Sequence, residues 1–296
     1  MEILPQLLVN ALITGSIYAL ASSGLSLTYG LLRILNFAHG HMMMVGAYLF
    51  FFWSVERGLG LGLSAVATFF SMLIAAWISL KIFVLPFTRY SLLLAFVTTL
   101  SLATILESSV SMIFGVNVKS LSTGADPGSM EFWGVYITPS QILIICSALL
   151  LLFVLGFIVH LTPVGRKIRA LSEHKYAAES LGVDSATASY VVFLAGALLA
   201  AYAGILVGYE TNMQPTMGNS YTIKAFAAMI LGGLGNIWGT VAGSYLLGLV
   251  ENLGIGLDFG GYSLPAGYKD AFAFMIILLV LLFRPMGLFN RQGRKI

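Results

Sequence analysis

The sequence predicts an all-α, polytopic helical membrane protein, and three observations carry that expectation. Hydrophobic residues make up 58% of the chain and charged residues only 9%, with a mean hydropathy of +0.93, whereas soluble domains carry roughly a quarter charged residues. Apolar runs recur from end to end, and a helix needs about twenty such residues to cross a bilayer. No polar block is long enough to fold outside the membrane, so residues 1–296 read as one transmembrane domain embedded in lipid.

Taken in order, spans are drawn at Gln6 to Leu32, Asn36 to Trp53, Leu61 to Leu85, Tyr90 to Phe114, Ser140 to Leu161, Thr187 to Tyr209 and Tyr268 to Phe283. The start, Met1-Glu-Ile-Leu-Pro-Gln6, lacks the basic segment of a cleavable leader, so the first run is expected to stay in the mature protein. A further apolar stretch, Thr222 to Val250, is broken by Gly232-Gly-Leu-Gly-Asn-Ile-Trp-Gly239. Basic residues decide its threading, because they concentrate on the cytoplasmic side. With the amino terminus outside, Arg33, Lys81, Arg89, Arg166, Lys167, Arg169 and Lys175 fall inside, and Arg57 and Lys119 outside. Arg284 and the tail Arg291-Gln-Gly-Arg-Lys295 join the cytoplasmic side if 222–250 enters and returns as two short arms, leaving the acidic connection Glu251 to Gly267 outside. A re-entrant hairpin and two short tilted helices both satisfy that path. The expectation is thus about seven full spans plus two short arms or re-entrant segments.

Small residues four apart allow helix backbones to approach in lipid. Ala11, Gly15, Ala19 and Ser23 form such a row in the first span, Gly196, Ala200, Gly204 and Gly208 in the sixth, and Gly235, Gly239 and Gly243 in the broken stretch. All three are expected to be scaffold contacts. The outer connection 115–139 holds the turn-rich Ser122-Thr-Gly-Ala-Asp-Pro-Gly-Ser129 and offers a docking surface for a soluble partner.

Polar groups at membrane depth are costly unless they face protein or a wet path, which makes them functional candidates. Asn36, Phe37, His39, Gly40 and His41 open an otherwise apolar run. In the fourth span Ser101, Thr104, Ser108 and Ser111 form a polar stripe with Glu107 beside it. Hydroxyls of this kind serve equally well by bonding the carbonyl one turn back or by lining a path, and the carboxylate favours the path. His39 is expected to hold a helix break with Asn36 as its partner; a metal site is disfavoured because no cysteine or carboxylate stands near in sequence. The lone Cys146 lies in an apolar run, reads as a small buried hydrophobe and excludes a disulfide framework. A net charge of +3 spread over scattered basic residues excludes nucleic acid. No nucleophile and base pair suggests an enzyme.

The largest cytoplasmic connection, residues 162–184, carries Ile168, Leu171, Ala178 and Leu181 at helical spacing opposite Arg169, Glu173 and Glu179, with Gly182 placed to end the helix. A short amphipathic helix is expected there, resting on headgroups or docking into another protein.

The chain resembles the shorter permease of the branched-chain amino-acid ABC importers. The resemblance rests on Asn10-Ala-Leu-Ile-Thr-Gly-Ser-Ile-Tyr-Ala-Leu20, Leu27-Thr-Tyr-Gly30, Asn36-Phe-Ala-His-Gly40 and Thr162-Pro-Val-Gly-Arg166. It continues through Ala177-Ala-Glu-Ser-Leu-Gly-Val183, Ala225-Phe-Ala-Ala-Met-Ile-Leu-Gly-Gly-Leu-Gly235 and Arg284-Pro-Met-Gly-Leu-Phe289. Urea and short-amide importers have very similar permeases. The resemblance implies a bacterial inner-membrane subunit paired with a second homologous permease. Two cytoplasmic ATPases, which use ATP and magnesium, and a periplasmic solute-binding protein complete the assembly. It makes Arg166, Arg169, Ala177, Ala178, Glu179 and Gly182 the ATPase-coupling helix, and it puts the second helix, broken near Asn36 to Gly40, along the path. This chain lacks the Gly-x4-Gly-Lys-Ser/Thr loop, so its transport is expected to be alternating access driven by partners, with no cofactor of its own. A stand-alone secondary transporter is the reading of a different class, since broken helices suit it too.

Overall fold

The computed structural model describes residues 3–88, 90–122, 128–132, 134–256, 266–284 and 287–289. The first helix, α1 (Leu4–Leu32), starts with a proline in its opening turn, where a missing N–H costs nothing. It ends at Arg33, which takes a left-handed backbone (φ 55°) and returns its N–H to Tyr29. Small and hydroxyl residues ring its middle, and Ser16, Ser22, Ser23 and Thr28 each bond a carbonyl three or four residues back. With most of these hydroxyls satisfied within the helix and small residues between its larger ones, α1 is buried through its middle and end. It forms the centre of the molecule.

Residues 33–38 lie outside any helix. Then come α2 (His39–Phe51), continued by a π-helical turn at Phe52–Glu56, α3 (Leu61–Ser79), a second π-helical turn at Leu80–Val84, α4 (Leu85–Thr88) and α5 (Leu92–Phe114). The Ser91 hydroxyl caps α5 by accepting from the Leu94 N–H. A short antiparallel hairpin, β1 (Met130–Phe132) with β2 (Val135–Ile137), pairs Glu131 with Tyr136. The Gln6 side chain ties it to α1 through both backbone groups of Tyr136, at 3.0 and 2.8 Å. Next are α6 (Pro139–Leu161), opened by a capping box of Thr138 and Gln141, α7 (Pro163–Glu173), α8 (Lys175–Ser180) and α9 (Ser185–Glu210), capped by Asp184. The chain finishes with α10 (Met217–Gly232), α11 (Ile237–Gly256), a 3-10 turn and α12 (Lys269–Phe283).

Five helical segments, α1, Leu61–Thr88, α5, α6 and α9, are long and apolar enough to cross a membrane, and the α10–α11 pair makes six if it counts as one span. The described residues therefore form an all-α polytopic membrane fold with five to six such segments, carrying one small hairpin. Two of the seven drawn spans are helical but not among these segments: Asn36 to Trp53 becomes α2 with its π-helical turn, 39–56, and Tyr268 to Phe283 becomes α12. The first starts later than drawn because 33–38 is non-helical chain. Glu251 is also misplaced by the sequence reading: it lies in α11, 0% exposed, and does not begin an outer connection. Arg89, most of the turn-rich run 122–129 and the basic tail 291–295 lie outside the described residues.

The broken stretch forms α10 and α11, bent by 117° at residues 233–236. Gly235 serves that turn, with φ 79°, while it rests on Gly30 of α1. Gly239 and Gly243 make the close contact across the pair, against Gly232 and the Ala228 carbonyl. Gly239 and Gly243 thus pack α10 against α11, and Gly235 packs the turn against α1. Elsewhere Gly15 of α1 sits against Tyr245 and Gly248 of α11, Gly196 of α9 against Gly24, and Gly204 against the Met43 carbonyl of α2. The rows of small residues bring α1, α2, α9, α10 and α11 into one core, with α3, α5, α6 and α12 at the rim. Cys146 is exposed on the outer face of α6, not buried as expected, because α6 is a rim helix covered on one side only.

Candidate functional site

Two helices begin at the same level inside the protein and run apart. Moving along α2 from His41 to Tyr48 follows α5 from Glu107 to Phe114. Moving along α10 leads the other way: Gly218 touches His41, Phe226 stacks on Phe37 at 4.7 Å, and the turn beyond reaches Gly30 near the end of α1. The junction is polar because four backbone N–H groups at each helix start have no partner within the helix. Here side chains from distant segments supply them. Asn36 Oδ1 accepts from the Ala38 N–H (3.1 Å), Thr99 Oγ1 of α5 from the Phe37 N–H (3.3 Å), and Thr222 Oγ1 of α10 from the Gly40 N–H (3.1 Å). The Thr222 hydroxyl in turn donates to the Gly218 carbonyl at 2.7 Å.

His39 donates from Nε2 to the Ala21 carbonyl of α1 at 2.8 Å, so the imidazole braces the break against α1 and is not paired with the Asn36 side chain as expected. Asn36, His39 and Gly40 are buried. They hold the break and do not themselves face the outside of the chain. Replacing Thr222 with valine leaves the Gly40 N–H unpaired in a buried site, a loss of about 1–3 kcal/mol. The expected result is a lowered melting temperature in detergent that serine at 222 restores; an unchanged melting temperature in the valine variant would remove Thr222 from this role.

Beside the break lies an exposed polar face. Glu107 sits about 22 Å along the 23-residue α5 at 1.5 Å per residue, well inside the apolar thickness. Its Oε2 accepts from His41 Nε2 of α2 at 3.3 Å and from Asn219 Nδ2 of α10 at 3.0 Å. Thr104 and Ser108 of α5 and Asn219 and Ser220 of α10 are exposed. The Ser101 and Thr104 hydroxyls also bond carbonyls one turn back, so the stripe satisfies itself and still presents oxygen outward. Asn219, Thr99 and Thr222 are the residues that sequence reasoning missed; His41 was a candidate, but its pairing with Glu107 was not foreseen. Asn219 and Thr222 come from a segment more than 170 positions away, and no local pattern links them to the Asn36 motif.

A second polar group was also missed. Lys224 of α10, Glu251 of α11 and Tyr18 of α1 meet in the interior: Lys224 Nζ lies 3.6 Å from Glu251 Oε1 and donates to the Tyr18 hydroxyl at 2.9 Å, which donates to Glu251 Oε2 at 2.8 Å. A lysine inside the apolar arm was the available signal. Among the described residues, no three His, Cys, Asp or Glu side chains are placed to hold a metal.

At the Arg33 end, α7 buries Ile168 among Leu27, Val159 and Val192, and Leu171 with Ala178 against Ala188. The amphipathic segment is two helices broken at His174, a residue in extended backbone. Gly182 ends the second with φ 82°. Leu181 is not on the buried face as expected; it is 86% exposed, next to Tyr176 at 85%. Arg169 turns back onto α6, donating to the Val159 and His160 carbonyls at 2.8 and 3.1 Å, which satisfies orphan groups at a helix end. Arg166, Ala177, Glu179 and Gly182 face outward, whereas Ala178 is buried. Arg33 fastens α1 to this unit through the Ser172 carbonyl at 3.0 Å.

A family model described as branched-chain amino acid transport system / permease component matches residues 7–281. The high-affinity branched-chain amino acid transport system permease protein BraD of Pseudomonas aeruginosa is 33% identical over 305 residues, covering 97% of this chain and 95% of its own. LivH of Escherichia coli, of the same description, is 31% identical over 299 residues with coverage of 97% and 95%. A probable branched-chain amino acid transport permease protein of Methanocaldococcus jannaschii is 27% identical, covering 98% and 94%. Among solved structures, PsaBC from Streptococcus pneumoniae in complex with Fab has a similar fold, with a TM-score of 0.54 at 12% identity over 97% of this chain and 93% of that one. A match running through every helix of the core and both polar groups leaves one assignment: the chain belongs to the family of branched-chain amino acid transport system permease components.

Proposed function

We propose that the chain is the membrane-spanning permease subunit of an ATP-binding cassette importer for branched-chain amino acids. It pairs with a second permease, rests on two ATPases that use ATP and magnesium, and receives solute from a periplasmic binding protein. The single observation that carries this reading is the family match over residues 7–281; the descriptions of BraD and LivH supply the solute. The exposed polar face of Thr104, Glu107 and Ser108 on α5 with Asn219 on α10 lines the path, since exposed polar side chains at this depth are costly against lipid. Asn36, Phe37, His39 and Gly40 shape that path by holding the break. The chain crosses an inner membrane with its amino terminus outside and its carboxyl terminus in the cytoplasm, through seven spans and the two arms α10 and α11. The basic residues Arg33, Arg166, Lys167 and Lys175 support that orientation.

Chemistry enters through the partners, so this subunit works by changing shape. Nucleotide binding closes the ATPases, α7 and α8 move with them, and the tie from Arg33 to Ser172 carries the movement to α1. Copurification tests the assembly: a second permease and ATPase subunits should remain with this chain, and ATP hydrolysis should rise when the loaded binding protein is added. A chain that purifies alone and transports without ATP would overturn the reading. Tyr176 on α8 and Leu181 just past its end stand out as apolar anchors of the kind that dominate interfaces. Replacing both with alanine should lower ATPase capture about ten-fold or more, equivalent to about 1.4 kcal/mol, without moving the melting temperature of the permease.

A further inference from the structure

We infer that Glu107 is the ammonium-binding group of the path, so that the solute passing it carries a protonated amine. The inference rests on the permease reading above and adds to it the chemical feature by which the membrane subunit distinguishes its cargo.

Four observations converge. Both donors on the carboxylate, His41 and Asn219, reach the same oxygen, Oε2. Among the described residues no donor reaches Oε1, and the side chain is 27% exposed, so the second oxygen is open to the polar face. Within α5 and α10 the formal charges are Glu107 and Lys224, and Lys224 is engaged with Glu251 and Tyr18 toward α1 and α11. The remaining residues of the face, Thr104, Ser108, Asn219 and Ser220, are neutral. The face therefore presents one carboxyl group, with one oxygen held in place by donors from two other helices and its neighbour free to accept.

An ammonium reaching Oε1 makes a charge-assisted hydrogen bond, stronger than a neutral one, in a setting of low dielectric. Urea, a short amide or a sugar lacks the charge and gains only a neutral contact. Because Asn219 and His41 belong to the two helices that start at the break, a cation on Glu107 also touches the junction where α2 and α10 can shift relative to each other. The same carboxylate thus selects the cargo and senses its passage.

The test uses the complete complex of permeases and ATPases. Uptake of L-leucine by proteoliposomes supplied with the binding protein is compared for wild type, Glu107→Gln and Glu107→Asp. The melting temperature of the complex without binding protein is then measured with millimolar L-leucine, with the amine 3-methylbutylamine and with the des-amino acid 4-methylpentanoate. Uptake should fall ten-fold or more in Glu107→Gln and hold within about three-fold in Glu107→Asp. Leucine and the amine should raise the wild-type melting temperature, the des-amino acid should not, and Glu107→Gln should lose the shift. Normal uptake by Glu107→Gln overturns the inference, as does an equal or absent shift with amine and acid in wild type, a measurement that does not require the variant to fold. Failure of the permease reading looks different: wild type would not accumulate leucine at all, whatever the amine does to its melting temperature.

Discussion

Glu251→Ala should destabilise the protein by about 3–5 kcal/mol, the largest single effect expected of a polar substitution here. The carboxylate is 0% exposed and Lys224 is 14% exposed, so neither charge is cushioned by water. Removing the acid withdraws countercharge from the ammonium and an acceptor from the Tyr18 hydroxyl, both inside the membrane core. Neutralising both partners is different, because a buried pair contributes little net stability over well-packed neutral groups. The double variant Lys224→Met with Glu251→Gln should therefore be more stable than Glu251→Ala. A coupling energy of about 1 kcal/mol or more should separate it from the sum of Lys224→Met and Glu251→Gln. Urea or thermal unfolding in detergent measures all of these. A Glu251→Ala protein within about 1 kcal/mol of wild type would mean that the charges do not stabilise one another in the folded state.

Gly40→Ala should damage both the stability and the transport of the protein. A methyl group at that position would lie 2.5 Å from the Thr222 amide nitrogen and overlap the Gly218 carbonyl, both backbone atoms that cannot swing aside. Separating α10 from α2 to make room also breaks the bond from the Gly40 N–H to Thr222. Overpacking alone costs about 1–3 kcal/mol, and the lost hydrogen bond in a buried site adds about as much again. The expected outcome is a several-degree fall in melting temperature together with loss of leucine uptake. Gly62→Ala, where nothing lies within 4 Å, should leave both unchanged. Normal uptake by Gly40→Ala would show that the two helix starts do not need to touch.

The contrast between Gly40 and Asn219 shows what was legible in the sequence. Hydropathy gave the long helices, because each needs only a local run of apolar residues, and the small-residue rows gave the closest contacts for the same reason. The broken start of α2 was visible as polar groups opening an apolar run. Its function was less so: Asn36 and His39 stay buried because their donors and acceptors are spent on Ala38 and on Ala21 of α1, partners that spacing does not reveal. Glu107 and His41 were found from their own polarity, while their contact with each other and with Asn219 required the fold to bring three helices together. Glu251 was misassigned for a physical reason, since an acid at the end of an apolar run looks solvated until a lysine from another helix is seen beside it. Leu181 left its expected buried face because α7 and α8 are separate helices, and a single helical wheel cannot describe a segment that turns at His174.

Residues 287–289 fasten the α10–α11 turn from outside it. The Leu288 N–H bonds the Leu231 carbonyl at 2.8 Å, the Asn236 amide donates to the Phe289 carbonyl at 3.0 Å, and Gly287 lies against Gly233. This clasp comes from a segment more than fifty positions further along the chain, beyond α12, and it fastens the bend of the hairpin that carries Lys224, Thr222 and Asn219. A chain truncated before Gly287 would keep every apolar span and yet lack the fastening for the hairpin that builds both polar groups, so its defect would appear as protease sensitivity at residues 233–236 and not as failure to enter the membrane.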